Sequence, residues 1–260
     1  MTKGARVARL DGKVTVVTGA GGGIGRATAL ALTEQGARVG LTDLDGDGLA
    51  ETVALVRDAG GEAVAVAGDV TDAAVVDAVA GETLRAFGHV DGLVNNAGIV
   101  VAKGLLEHTV EDFDALMKVN VLSALLTTQR LVPEMRASGR GGSIVNISSI
   151  GGLVALLGVG VYCASKAAVI GLTRSIAYEF APEIRCNAVC PGGVDTQMSH
   201  SHIATFDDPD EAIKLLTGRQ MLKRHARPRE IADAIVFLIS DESSFMTGAT
   251  VPVEAGHSAS

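Results

Sequence analysis

Short apolar runs alternate along the chain with longer segments whose apolar positions recur every three or four residues. The first pattern marks strands and the second amphipathic helices. Val14 to Val17 predicts strand one, followed by a glycine-rich turn and a helix from about Gly23 to Gln35. Arg38 to Thr42, Ala63 to Ala67 and a run centred on Leu93 and Val94 predict strands two to four, with helices near Gly48 to Ala59 and Ala73 to Phe87 between them. One long helix is predicted over Val110 to Ser138 and another over Val161 to Ala181, on either side of strand five, Ser143 to Ile147. Strand six is Ile184 to Val189, Ile231 to Ile239 is helical, and Thr250 to Val253 is the last strand. This alternation requires right-handed crossovers and a mainly parallel sheet with helices on both faces: an α/β, doubly wound, Rossmann-type domain of seven strands. No linker or composition break divides the chain, so a tail at 1–10 and one domain at 11–257 are expected. Residues 194–228 interrupt the alternation and are expected to be a substrate loop or lid.

Composition supports this picture. Apolar residues make up 47% of the 260, yet only six are Phe, two Tyr and none Trp, and there are 32 glycines. Such a mixture suits a buried parallel sheet. The formal net charge of -8 leaves no electrostatic footprint for a phosphate backbone, so no nucleic-acid partner is expected. Cys163, Cys186 and Cys190 have neither disulfide nor zinc spacing. His200 and His202 form an H-x-H pair with no further clustered ligand, so they read as solvated lid residues and no metal is expected. Met1 to Leu10 lacks the apolar core of a signal peptide, and Ile150 to Val161 is too short and glycine-broken to span a bilayer. A cytoplasmic protein without membrane association is expected.

Two clusters carry candidate chemistry. Thr18-Gly19-Ala20-Gly21-Gly22-Gly23-Ile24-Gly25 lies between a predicted strand and a helix, where glycines allow close approach of a pyrophosphate to a helix N-terminus. Asp43 ends strand two, 18 residues after Gly25, where a carboxylate accepts from both ribose hydroxyls of NAD and repels a 2′-phosphate. Neither Arg nor Lys lies within the turn or directly after Asp43, which also points to NAD. Tyr162 and Lys166 are four residues apart and so share one helix face. A phenol titrates near pH 10; an ammonium at about 4 Å, with an effective dielectric of about 20, offers about 4 kcal/mol toward phenolate before desolvation.

In these residues the chain resembles the short-chain dehydrogenase/reductase family, from about Leu10 to Gly256. The motifs that carry the resemblance are Thr18-Gly-x-x-x-Gly23-x-Gly25, Asp69-Val70, Asn95-Asn96-Ala97-Gly98, Asn120 in Lys-Val-Asn-Val, Ser149, Tyr162-Cys-Ala-Ser-Lys166, and Pro191-Gly192 with Thr196. It departs from the family at Val253-Glu254-Ala255-Gly256, where V-D-G-G is common, and at Gly193, where many members carry another small or apolar residue. The resemblance implies a catalytic set of Asn120, Ser149, Tyr162 and Lys166. Tyr162 would be the general acid/base, Ser149 would hydrogen-bond the substrate oxygen, and Lys166 would also bind the nicotinamide ribose. Asn120 would hold a relay water. Cofactor contacts are implied at Gly19, Gly22, Gly23, Ile24, Gly25, Asp43, Leu44, Asp69, Val70, Asn96, Ala97, Gly98, Tyr162, Lys166, Pro191, Gly192, Val194 and Thr196.

Spacing to Tyr162 favours Ser149 over its neighbour Ser148. Cys163, about 100° round the helix from Tyr162, is expected to be a packing residue, with Cys186 and Cys190 in the core. The leading expectation is NAD-dependent interconversion of a secondary alcohol and a ketone. The alternatives are a 3-oxoacyl-thioester (acyl carrier protein) reductase, which Asp43 disfavours, and a non-catalytic dinucleotide-binding protein. Ile150 to Val161 and the lid predict an apolar pocket without an anion clamp, although Lys223, Arg224 and Arg227 lie near in sequence. The family implies a homo-oligomer, often a homotetramer, with one interface placed on the two long helices.

Overall fold

In the computed structural model, residues 9–204, 208, 213–214 and 217–259 are described, apart from the side chain of His202. Seven parallel strands pair in the order β3-β2-β1-β4-β5-β6-β7. They are β1 Val14–Thr18, β2 Arg38–Asp43, β3 Ala63–Ala67, β4 Gly92–Asn95, β5 Gly142–Ile147, β6 Ile184–Pro191 and β7 Thr250–Val253. The helices are α1 Gly23–Glu34, α2 Gly46–Asp58, α3 Ala73–Phe87, α4 Val110–Met117, α5 Ser123–Ala137, α6 Gly160–Phe180, α7 Gln197–Ile203 and α8 Pro228–Ile239.

Both faces of the sheet are covered, which is why its central strands read as unbroken apolar runs. On one face Val17, Val39, Leu41, Val94, Val145 and Val189 pack beneath α1, α2 and α8. On the other, Val14, Val16, Leu93, Ile144, Ile184 and Cys186 pack beneath α3, α5 and α6. Leu10, assigned to the tail by sequence, is fully buried in the first core, and Arg9 pairs with Glu242, so the packed body starts before residue 11.

The long helix expected over 110–138 is broken. A π-helical segment, Lys118–Leu122, separates α4 from α5 and carries Asn120 at its centre. Apolar periodicity continues through the extra residue, so the pattern alone does not reveal it; π segments of this kind concentrate at functional sites. Chain order reverses at β1, whose neighbours are β2 and β4, and the crevice at the carboxyl ends of these strands is where open α/β sheets bind ligands.

Candidate functional site

A cleft of about 770 Å³ opens at that crevice. Its floor is the turn from β1 to α1. Gly19 and Gly23 take φ of +64° and +50°, conformations that favour glycine. A Cβ on Gly25 would fall on the Gly19 carbonyl oxygen, so helix and turn touch through bare backbone. Helices α2, α3 and α4 are capped by the side chains of Asp45, Asp72 and Thr109. Helix α1 differs: Gly22 supplies no side-chain cap and no acidic residue lies in the first turn. Its first N–H groups and the positive end of its dipole are therefore open to a ligand anion. A turn this close to bare backbone, with an uncapped helix behind it, fits the pyrophosphate of a dinucleotide.

Asp43 stands at the rim. Its carboxylate accepts from the N–H of Gly21 at 2.7 Å and of Asp45 at 2.9 Å, which fixes it beside the turn. A Cβ on Gly21 would sit 2.9 Å from the carboxyl carbon, so the glycine is needed for that approach. Arg26 is the cation nearest the glycine turn in sequence. It is drawn away from the cleft: its guanidinium donates to the Gly21 and Gly48 carbonyls and to Thr52, and pairs with Glu51 at 2.6 Å. Leu44, 76% exposed, lines the cleft beside Asp43, and Val70 and Asp69 line it further along. The Asp69 carboxyl lies below its ordinary pKa because the N–H and hydroxyl of Thr71 both donate to it.

Asn95, which ends β4, and Asn96, which follows it, have different duties. Asn96 turns toward the cradle and donates to the carbonyls of Thr18 and Gly19 at 3.0 and 2.9 Å. Thr18 returns the contact, its hydroxyl accepting from the N–H of Asn96 and of Ala97. Thr18 was absent from the expected contacts; the signal was its place at the head of the glycine motif. Asn95 turns inward and starts a buried ladder. Thr127 of α5 donates to it at 2.6 Å, it donates to Asn146 at 2.8 Å, and Asn146 donates to Thr173 of α6 at 2.9 Å. These bonds fix α6, and with it Tyr162 and Lys166, against β4 and β5.

Tyr162, Lys166, Ser149 and Asn120 meet at the carboxyl ends of β4 and β5. Lys166 is buried, and its ammonium donates to the Ile147 carbonyl at 2.9 Å. Burial pulls its pKa from 10.5 down to about 8. Gly98 permits this approach, since a Cβ there would lie 3.2 Å from Nζ and 3.1 Å from the Asn120 amide oxygen. Ser149 hydrogen-bonds the Tyr162 phenol and accepts from the Gly151 N–H. Ser148 is spent on the Lys166 carbonyl at 2.8 Å, which separates the two serines.

One sequence expectation changes here, and Asn120 gains a structural role beside the expected one. Lys166 was expected to draw the phenol toward neutrality. Its nitrogen lies 5.8 Å from the Tyr162 ring centre, and burial raises the phenol above 10 while the Ser149 hydrogen bond opposes the rise. Desolvation therefore acts against both charges of the pair. Asn120 was expected to hold a relay water. Its amide donates to the Ile99 carbonyl and the Ser165 hydroxyl and accepts from the Ile99 N–H, leaving one oxygen lone pair. The side chain acts first as a brace between the β4 loop and α6.

The remaining expected residues fall where the chain leaves β6. Pro191, Gly192, Val194 and Thr196 line the cleft. Thr196 reaches across so that its methyl lies 3.2 Å from the Cβ position of Gly23, which brings the lid onto the cradle. Cys163 is half-buried, its thiol pushed up by burial. Cys186 is core; Cys190 is also buried, but its thiol hydrogen-bonds Ser148 beneath the site. His200 is exposed and pairs with Asp195 at 2.7 Å, and the His202 side chain lies outside the described residues. No group of metal-ligating side chains occurs among the described residues, and none of their helices is long and apolar enough to cross a membrane.

Gln220, His225 and His257, none of them among the expected site residues, also line the cleft. Gln220 and His225 lie in the expected 194–228 lid, and His257 directly follows Gly256 in the C-terminal turn. Lys223, Arg224 and Arg227 stay out of it: Lys223 donates to the Gly218 carbonyl, and both arginines pair with Glu230. Lys166 is the sole basic side chain lining the cleft among the described residues, apart from histidines.

Comparisons with known proteins agree with this fold. Residues 19–258 match a family model described as Enoyl-(Acyl carrier protein) reductase. An uncharacterized oxidoreductase of Thermotoga maritima is 41% identical over 96% of this chain and 98% of its own. The 3-oxoacyl-acyl-carrier-protein reductase FabG of the same organism is 39% identical over 95% and 98%. A crystal structure of levodione reductase superposes with a TM-score of 0.93 at 34% identity, covering 97% of this chain and 100% of that one. With its parallel seven-stranded sheet, its bare glycine turn and these full-length relatives, the chain belongs to the short-chain dehydrogenase/reductase family of oxidoreductases.

Proposed function

We propose that the protein interconverts a secondary alcohol and a ketone with NAD(H), with Tyr162 as the proton-handling group. The observation that carries this reading is the convergence of Ser149, Tyr162 and Lys166 on the cleft whose floor is the uncapped α1 terminus. A bound nicotinamide cofactor supplies the hydride donor or acceptor and, when oxidised, a positive charge beside the phenol. Gly19, Gly22, Gly23, Ile24 and Gly25 would hold its pyrophosphate, Asp43 and Leu44 its adenosine ribose, and Asp69 and Val70 its adenine. Asn96, Ala97 and Gly98 would bound the middle of the cofactor, and Pro191, Gly192, Val194 and Thr196 the nicotinamide end.

In reduction, the Tyr162 phenol, protonated at neutral pH, donates to the substrate oxygen while Ser149 hydrogen-bonds that oxygen and stabilises its developing charge. In oxidation the phenol must first lose its proton, which requires positive charge close to it. Lys166, with two ammonium hydrogens beyond the one given to Ile147, supplies part of that charge and a ribose contact. The apolar wall of Val100, Ile150, Leu156, Val159 and Met198 excludes water and suits an uncharged substrate. The family resemblance supports a cytoplasmic homotetramer.

Asp43 favours NAD, because a carboxylate fixed at the rim repels a 2′-phosphate and Arg26 is already engaged. Steady-state rates with NADH and NADPH over a broad ketone panel test this; a strong NADPH preference refutes the NAD assignment. Tyr162→Phe should abolish turnover and leave NADH binding nearly intact, and surviving turnover would remove the role given to Tyr162. The likeness to FabG favours one second reading, reduction of a 3-oxoacyl thioester. Asp43 counts against it, and an NADPH-preferring rate on a 3-oxoacyl thioester would select it.

A further inference from the structure

Beyond the dinucleotide cradle the cleft is walled by Val100, Leu156, Met198, Gln220 and His225. His225 is the unusual member. Its Nε2 is buried and has no hydrogen-bond partner among the described residues. The ring packs over Gly193, where a Cβ would lie 2.7 Å from Cδ2 and 3.0 Å from Nε2. Only glycine at 193 admits the imidazole there. Gln220 is satisfied once its amide oxygen and nitrogen are exchanged, so that the oxygen accepts from the Gly193 N–H at 2.9 Å and the nitrogen donates to the Arg224 carbonyl. His225 thus brings to the cleft lining a buried hydrogen-bonding atom that no described residue uses, beside the apolar Val100, Leu156 and Met198.

Burial holds the His225 pKa below 6.5; the Asp195 carboxylate opposes that shift and His200 adds to it. The imidazole is therefore neutral at pH 7. A neutral imidazole gives or takes one hydrogen bond at Nε2, according to its tautomer, and makes no clamp for an anion. Leaving such an atom buried and unpaired costs about 1–3 kcal/mol, which a ligand oxygen recovers on binding. Sites built in this way reject analogues that lack the bonding group far more strongly than apolar pockets discriminate by size.

We propose that His225 is a specificity-determining residue whose Nε2 hydrogen-bonds a second oxygen, hydroxyl or carbonyl, of an uncharged substrate whose reacting oxygen sits on Ser149 and Tyr162. The substrate class is a compact dione, hydroxyketone or diol. This inference rests on the oxidoreductase reading above.

The test uses the full chain with NADH and a panel of ring and open-chain ketones, each paired with a counterpart carrying a second oxygen, such as cyclohexanone with cyclohexane-1,4-dione. The wild type should favour the two-oxygen member by at least about tenfold in kcat/KM, the equivalent of one hydrogen bond of about 1.4 kcal/mol. His225→Phe should bring that ratio close to one, Gly193→Ala should lower it by displacing the ring, and His225→Gln, which keeps a donor and an acceptor, should retain much of it. With NAD+ bound and no turnover, the dione should raise the thermal midpoint more than cyclohexanone in the wild type and equally in His225→Phe. A wild type that does not discriminate, or a ratio unmoved in His225→Phe, overturns the proposal alone. A chain that oxidises neither NADH nor NADPH with any ketone overturns the oxidoreductase reading, and the proposal with it.

Discussion

Lys166 stabilises chemistry at the expense of the fold, and the balance can be measured. Its pKa falls from 10.5 to about 8 because the ammonium is buried at 4% exposure with one carbonyl as its partner. At pH 7 holding that charge costs about 3 kcal/mol relative to the unfolded chain. Lys166→Met removes the charge and keeps most of the side-chain volume. It also strands the Ile147 carbonyl, a loss of about 1–2 kcal/mol. The variant should therefore be more stable than the wild type at pH 7 by about 1–2 kcal/mol, a rise in thermal midpoint of roughly 3–6 °C for a chain of this size. The sign reverses at high pH. Between about 8 and 10.5 the unfolded chain binds the extra proton, so wild-type stability rises with pH across that window. At pH 10 the wild type should be the more stable, by up to about 1 kcal/mol. The assay is cofactor-free denaturant unfolding at one protomer concentration, at pH 7 and pH 10, since oligomerisation makes apparent stability concentration-dependent. A variant already less stable at pH 7, or a gap that does not change with pH, would refute the assignment of a buried, strained charge to Lys166.

Three further outcomes are expected. Gly25→Ala drives a methyl into the Gly19 carbonyl and should abolish NADH binding, read by fluorescence titration, while any folded fraction keeps its far-ultraviolet dichroism. Asp43→Ser should raise KM for NADH by about 10–100-fold, the equivalent of losing charged hydrogen bonds of about 1.5–3 kcal/mol, and shift the kcat/KM ratio toward NADPH; an unchanged ratio would remove Asp43 from cofactor selection. Ala255 holds φ +58°, where the family commonly has glycine, so Ala255→Gly should stabilise by roughly 0.5–1 kcal/mol, seen as a rise of about 1–4 °C in thermal midpoint.

Much of this molecule was determined by its sequence alone. Unbroken apolar strands between amphipathic helices require a sheet covered on both faces, and a glycine turn between strand and helix places a bare helix end at its crevice. The four-residue spacing of Tyr162 and Lys166 puts them on one helix face in any fold that keeps α6 helical. These are local facts, carried by periodicity, conformational freedom and helix geometry. Other features depend on atoms distant in sequence. The break at Asn120 follows from its bonds to Ile99 and Ser165. Spacing already favours Ser149 over Ser148, but only the fold shows why Ser148 is engaged, its hydroxyl held by the Lys166 carbonyl. The phenol of Tyr162 is raised rather than lowered because desolvation, a property of the whole packed site, outweighs the Ser149 hydrogen bond. His225 enters the cleft because the lid returns across Gly193. Tertiary structure alone decides such matters, since hydrogen-bond partners and solvent exclusion are properties of the space that the folded chain encloses and not of residue spacing.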